Sequence, residues 1–217
     1  MIRPKAEMME LLTNPGVIAV IRADRRDQVL PVTEALIAGG LTAIEIAMTT
    51  PDAIGAIRDA SGKFGERALI GVGTVLNPTT CRAAIAVGAQ FVVTPICRPE
   101  LSLIARTAHC LMIMGAYTPT EAQLAHETGA DFVKLFPADG LGVAYIKALR
   151  APLPHLRIIP TGGVDVNTLA EFFKAGCPAV CVGSSLVGRQ ILQTNDWPEL
   201  TRRTQEFVRR AKAARNA

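Results

Sequence analysis

Short uninterrupted apolar runs alternate along this chain with longer segments in which apolar positions recur at helical spacing. Val17-Ile18-Ala19-Val20-Ile21 is the first such run, too short and too β-branched for a helix. Residues 42–47, 68–73, 91–94, 111–114, 157–161 and 179–182 repeat the pattern. Residues 130–138 complete a set of eight, with one lysine inside the run and a proline stopping it. Strands that lack polar alternation in this way belong to parallel sheets covered on both faces. Helix signals fill the gaps. Residues 4–13 read as a short helix ended by Asn14-Pro15-Gly16, and residues 26–38 put Val29, Val32, Ala35 and Leu36 on one side. Pro51 and Pro78 open further helices, and another starts near Pro99. Thr118-Pro119-Thr120-Glu121 has capping-box character, and the last helix runs from about Trp197.

A weak internal repeat supports the count. Ala38-Gly39-Gly40, Val87-Gly88-Ala89, Thr128-Gly129-Ala130 and Ala175-Gly176-Cys177 each close a helix just before an apolar run. Counted from Gly39, the four glycines stand 49, 41 and 47 residues apart, or two strand–helix units per step. Eight such units fit a compact (β/α)8 TIM barrel, a single α/β domain over residues 1–217 with a short N-terminal helix. An open doubly wound sheet is the competing topology, but it would normally bring a dinucleotide fingerprint. Gly71-Val72-Gly73 fails that test because position 76 is leucine.

Composition narrows the function classes. Hydrophobic residues make up 49% and aromatics 5%, so Val, Ile, Leu and Ala must build the core. The net charge of +4 is modest and gathers in the last helix, which suits the helix dipole better than a nucleic-acid surface. Nucleic-acid binding is therefore not expected. The five cysteines form no CxxC pair and the three histidines share no ligand spacing, so no metal site or cofactor is expected. An odd number of thiols points to a reduced, cytoplasmic setting. Arg3, Lys5 and Glu7 precede any apolar run, which is not the pattern of a signal peptide, and no run is long enough to span a membrane.

In such barrels the chemistry sits at the carboxyl ends of the strands. The polar residues there are Arg22, Glu45, Thr49, Thr74, Thr94, Lys134, Thr161, Ser184 and Ser185. Glu45 and Lys134 stand out because their strands are otherwise apolar. One reading is a buried ion pair across the barrel. The other is a proton-transfer carboxylate beside an amine, since burial penalises the charged form of a lysine and a neutral amine can attack a carbonyl. Glu45 lies six residues after Gly39 and Lys134 five after Gly129, which would face them oppositely unless their strands start in different registers. Thr161-Gly162-Gly163-Val164, before a helix capped by Asp165 or Asn167, and Val182-Gly183-Ser184-Ser185, before the next, read either as tight turns or as an anion cradle. Two neighbouring loops of this kind favour phosphate.

These segments carry a resemblance. Ile44-Glu45-Ile46, Gly71-Val72-Gly73-Thr74-Val75-Leu76-Asn77, Phe132-Val133-Lys134-Leu135-Phe136-Pro137, Pro160-Thr161-Gly162-Gly163-Val164 and Val182-Gly183-Ser184-Ser185-Leu186 occur in order. Together they resemble the 2-keto-3-deoxy-6-phosphogluconate (KDPG) and 4-hydroxy-2-oxoglutarate (KHG) aldolases, a family that includes the phosphogalactonate enzymes. The resemblance runs from about Gly16 to Val187. It implies a metal-independent class I aldolase on a (β/α)8 barrel, a homotrimer, cleaving a 2-keto-3-deoxy sugar acid phosphate to pyruvate and an aldehyde. It makes Lys134 the Schiff-base lysine and Glu45 the general acid/base. Thr74 and Thr161 become substrate-binding hydroxyls, Pro95 and Phe136 pocket walls, and Gly162, Gly163, Gly183 and Ser184 the phosphate site. Thr49 departs from the pattern, because an arginine often holds the substrate carboxylate there. Arg22 is the proposed replacement, its planar guanidinium suiting a carboxylate. Phosphogluconate is the expected substrate. The rivals are phosphogalactonate or hydroxyoxoglutarate with the same chemistry, an isomerase or synthase on a phosphate-binding barrel, and a non-catalytic sugar-phosphate sensor.

Overall fold

The computed structural model describes residues 3–216. Its strands are β1 (Val17–Ile21), β2 (Ala43–Ala47), β3 (Leu69–Gly73), β4 (Phe91–Val93), β5 (Leu111–Ala116), β6 (Phe132–Leu135), β7 (Ile158–Pro160) and β8 (Val180–Val182). Seven fall within the apolar runs, β5 continues two residues past its run of 111–114, and every strand residue is buried. The ladder is parallel and unbroken from β8 through β1 to β7, and the bridge between Thr161 and Cys181 joins its two edges into a barrel.

The helices are α1 (Lys5–Thr13), α2 (Val29–Ala38), α3 (Ala53–Phe64), α4 (Pro78–Ala86), α5 (Glu100–Thr107), α6 (Pro119–Glu127), α7 (Gly142–Arg150), α8 (Leu169–Lys174), α9 (Arg189–Thr194) and α10 (Trp197–Arg215). Thr118 and Glu121 form the capping box their spacing predicts. The segment expected as one helix over 26–38 begins as a 3-10 turn at Arg26–Gln28, because Pro31 has no N–H to give to the carbonyl one turn back. Pro51 does not open α3. Asp52 caps it instead, accepting the Gly55 N–H at 3.2 Å from a left-handed backbone. Two elements carry no local announcement: α7 starts after three residues without a capping side chain, and α9 is six residues long.

Two apolar layers stabilise the fold. The larger lies between the outside of the sheet and the helices, with Leu36, Ile57, Phe64, Leu101 and Phe207 fully buried in it. The smaller fills the barrel. Alternation and strand register stack the inward side chains in tiers drawn from alternate strands. Ala43, Phe91, Phe132 and Ala179 form a low tier in which two aromatic rings are balanced by two methyl groups. Above come Ile18, Gly71, Ile113 and Ile159, where a Cβ on Gly71 would fall on the Phe91 ring. Below the barrel, α1 lies across the open end and contacts β1, β3 and β5. Its Met8 and Leu12 are buried in the interior cluster, and Lys5 pairs with Asp131 at 2.5 Å.

Candidate active site

The tier above Ile18, Gly71, Ile113 and Ile159 holds Glu45, Val93, Lys134 and Cys181. Each stands five residues after a glycine in the left-handed conformation: Gly40 (φ 97), Gly88 (φ 110), Gly129 (φ 92) and Gly176 (φ 82). The residue that ends α2 in this way is Gly40, whereas Gly39 keeps a right-handed φ of −77. Counting from Gly39 was therefore one residue out, and the opposed facing it implied is corrected. Glu45 and Lys134 point into the barrel at the same level.

Among the described residues they are the only charged side chains in the buried set, at 0% and 2% exposure. They do not form the ion pair that was one of the two readings, since neither Glu45 carboxylate oxygen has a hydrogen-bond partner. The Lys134 Nζ lies 5.1 Å from the centre of the Phe136 ring. Cys181 is fully buried. Its thiol is pushed up to about 12, chiefly by burial and further by Glu45, with Lys134 opposing. It is thus a neutral thiol beside Glu45 and Lys134.

Above this tier come Val20, Gly73, Gly115 and Thr161, and above those Ala47, Pro95, Phe136 and Gly183. The room left by the two glycines of this tier is occupied: a Cβ on Gly73 would fall on the Glu45 carboxylate, and one on Gly115 on the backbone of Pro95 and Ile96. The Thr161 Oγ1 is buried in the same tier as these glycines without a hydrogen-bond partner. Thr74 follows β3 with a φ of 62, a conformation a β-branched residue adopts only when its surroundings hold it there. Arg22, exposed just past β1, donates from Nη1 to the Thr49 hydroxyl at 3.0 Å. The proposed replacement and the departing position therefore sit side by side at the rim.

The two glycine loops meet, but not quite as expected. Gly162 and Gly163 are both left-handed (φ 100 and 69), and a Cβ on Gly163 would press against the Asp139 Cβ at 2.7 Å. Ser185 donates to the Val164 carbonyl at 2.6 Å and ties one loop to the other, while Ser184 is exposed. Among the described residues, no acceptor is paired with the amide N–H of Gly163, Val164, Gly183 or Ser184. These free donors could hold an anion. The helix N-termini expected to reinforce them lie further on: α8 begins at Leu169 and α9 at Arg189, because each loop first makes a turn of its own. Asp165 caps that turn, accepting the Asn167 and Thr168 N–H groups at 2.7 and 2.9 Å.

All the residues singled out in the sequence thus come to one end of the barrel. Sequence reasoning missed Cys181, Gly73 and Gly115 as neighbours of the buried pair. The glycine spacing could have found Cys181, which stands as far after Gly176 as Lys134 does after Gly129.

The fold and site define a class: a (β/α)8 barrel with a buried lysine and a buried carboxylate in one tier beneath an anion-ready rim. The chain belongs to the KDPG and KHG aldolase family, whose family model matches residues 8–203. It is 39% identical to the 2-dehydro-3-deoxy-phosphogluconate aldolase of Pseudomonas aeruginosa over 207 residues, covering 94% of this chain and 93% of that one. It is 38% identical to the 2-dehydro-3-deoxy-6-phosphogalactonate aldolase of Escherichia coli over 182 residues, covering 82% and 87%. The KDPG aldolase of Legionella pneumophila, with pyruvate captured as a covalent carbinolamine, superposes with a TM-score of 0.82 at 27% identity, covering 95% of this chain and 97% of that one.

Proposed function

We propose that this chain is a class I aldolase that cleaves 2-keto-3-deoxy-6-phosphogluconate to pyruvate and glyceraldehyde 3-phosphate. The observation that carries the reading is the buried lysine and carboxylate sharing one tier without pairing, since a fold has no use for two uncompensated ionisable groups. The neutral Lys134 amine attacks the C2 ketone, and loss of water leaves an iminium. The C3–C4 electron pair moves into that iminium as the C4 hydroxyl gives its proton to Glu45, directly or through a water, and the aldehyde departs. Glu45 then returns a proton to C3 of the enamine. Hydrolysis releases pyruvate and restores the amine.

Arg22 with Thr49 takes the substrate carboxylate, Thr74 and Thr161 take its hydroxyls, and Pro95 and Phe136 wall the pocket. The amides of Gly162, Gly163, Gly183 and Ser184 take the phosphate. Near-equal identity to a phosphogluconate and a phosphogalactonate enzyme leaves the choice of C4 epimer to a few pocket side chains. The family resemblance supports a cytoplasmic homotrimer. Self-association is further supported by Leu76, Ile96, Leu103, Tyr117 and Leu124, the exposed large apolar residues among those described, which all fall in the sequence between β3 and the end of α6.

Incubation with pyruvate, borohydride reduction and mass spectrometry tests the chemistry. A pyruvyl adduct on Lys134 is expected, and its absence from the folded protein would sink the reading. Turnover of phosphogluconate faster than of phosphogalactonate or hydroxyoxoglutarate tests the substrate.

A further inference from the structure

We infer that Gly73 is a positioning residue for Glu45: the missing side chain of Gly73 is the space in which the carboxylate lies. This rests on the reading of Glu45 as the group that moves the C3 and C4 protons. No hydrogen bond fixes the Glu45 carboxylate, since both of its oxygens are buried without a partner. Within the protein its place is therefore set by shape. A Cβ built on Gly73 would overlap the Glu45 Oε1 and Cδ and come within 2.6 Å of its Cγ.

The backbone at Gly73 cannot yield instead. Its carbonyl accepts the Met48 N–H at 2.9 Å, it is paired in the ladder with Ala47, and Thr74 follows in a left-handed conformation. The side chain must move, because the far end of a glutamate turns more cheaply than a strand shifts. Lys134 lies on β6 beside Gly115, on a different strand from the added methyl group. The two halves of the chemistry then separate: imine formation needs the amine, whereas proton transfer at C3 needs the carboxylate in place.

Gly73→Ala is compared with wild type and with Gly71→Ala, which places the same methyl group lower on the same strand, against the Phe91 ring. Two readouts are taken with pyruvate as the probe: the borohydride-trapped adduct, and exchange of the C3 protons for deuterium followed by NMR. In Gly73→Ala the adduct is expected within about twofold of wild type, while exchange per adduct falls by about a hundredfold or more, the scale of a lost general base. In Gly71→Ala exchange per adduct is expected to stay at the wild-type level.

Exchange at the wild-type rate in Gly73→Ala overturns the inference, as does an equal loss of both readouts in a folded protein. If Gly73→Ala does not fold, Glu45→Asp added to it should restore folding by withdrawing the carboxylate, and failure to do so places the overlap elsewhere and overturns the inference. A wild-type chain without any adduct refutes the Schiff-base reading itself, and the assignment of Gly73 falls with it.

Discussion

Replacing Glu45 by methionine separates the two readings of the buried pair by the sign of a stability change. An acceptor buried without a partner costs about 1–3 kcal/mol, and Glu45 presents two such oxygens at 0% exposure. Methionine is unbranched and adaptable, so it refills the space over Gly73 with little cavity or strain. The substitution should therefore stabilise the fold by about 2 kcal/mol, which raises the melting temperature of a chain this size by about 4–8 °C. Had Glu45 held Lys134 in a buried ion pair, its removal would strand a charge and cost about 3–5 kcal/mol. Thermal unfolding followed by circular dichroism without substrate reads the difference. The same variant should form the pyruvate adduct and fail to exchange the C3 protons. A Glu45→Met protein that melts at or below the wild-type temperature would refute the reasoning, because it would mean that the fold already satisfies the carboxylate.

Three further outcomes follow from the structure. Arg22→Ala should raise KM by about ten- to a hundredfold with kcat little changed, the worth of a charged hydrogen bond made equally in ground and transition states; an unchanged KM would leave the carboxylate to Thr49 and backbone amides. Burial pushes the thiols of Cys110, Cys177 and Cys181 up to about 12, so the folded chain holds these protons more tightly than the unfolded one. The thiols' contribution to stability should be constant below about pH 9 and be lost as the pH climbs towards about 12, which alkaline melting curves would check. Iodoacetamide at pH ~8 should accordingly spare the four buried cysteines of the native protein and label at most the half-buried Cys97.

The eight strands were legible because a strand buried on both faces has no polar alternation, and each run announces itself locally. Helices with caps or prolines were legible for the same reason, as Thr118 and Pro78 show. What the pattern could not carry was anything fixed across the sheet. Whether Glu45 and Lys134 share a level depends on where β2 starts, and adjacent Gly39 and Gly40 offer two starting points that only backbone conformation separates. The loops past β7 and β8 were misjudged in a similar way. Their glycines suggest helices beginning at once, but a turn capped by Asp165 intervenes after one and a turn closed on the Gly183 carbonyl after the other. Cys181 and Gly73 escaped notice because their neighbours lie on other strands.

The position of α1 has a kinetic consequence. With Met8 and Leu12 seated in the interior and the low tier filled by Phe91 and Phe132, the barrel is a blind well with one doorway. Traffic through a single doorway is sequential. The fragment tethered to Lys134 at the base must leave last, and the aldehyde, nearer the rim, must clear the passage first. Release order would then be imposed by the architecture as well as by the covalent bond. Accumulated pyruvate would compete with incoming substrate for the empty lysine, whereas accumulated aldehyde would meet an enzyme still carrying its enamine and drive the cleavage backwards.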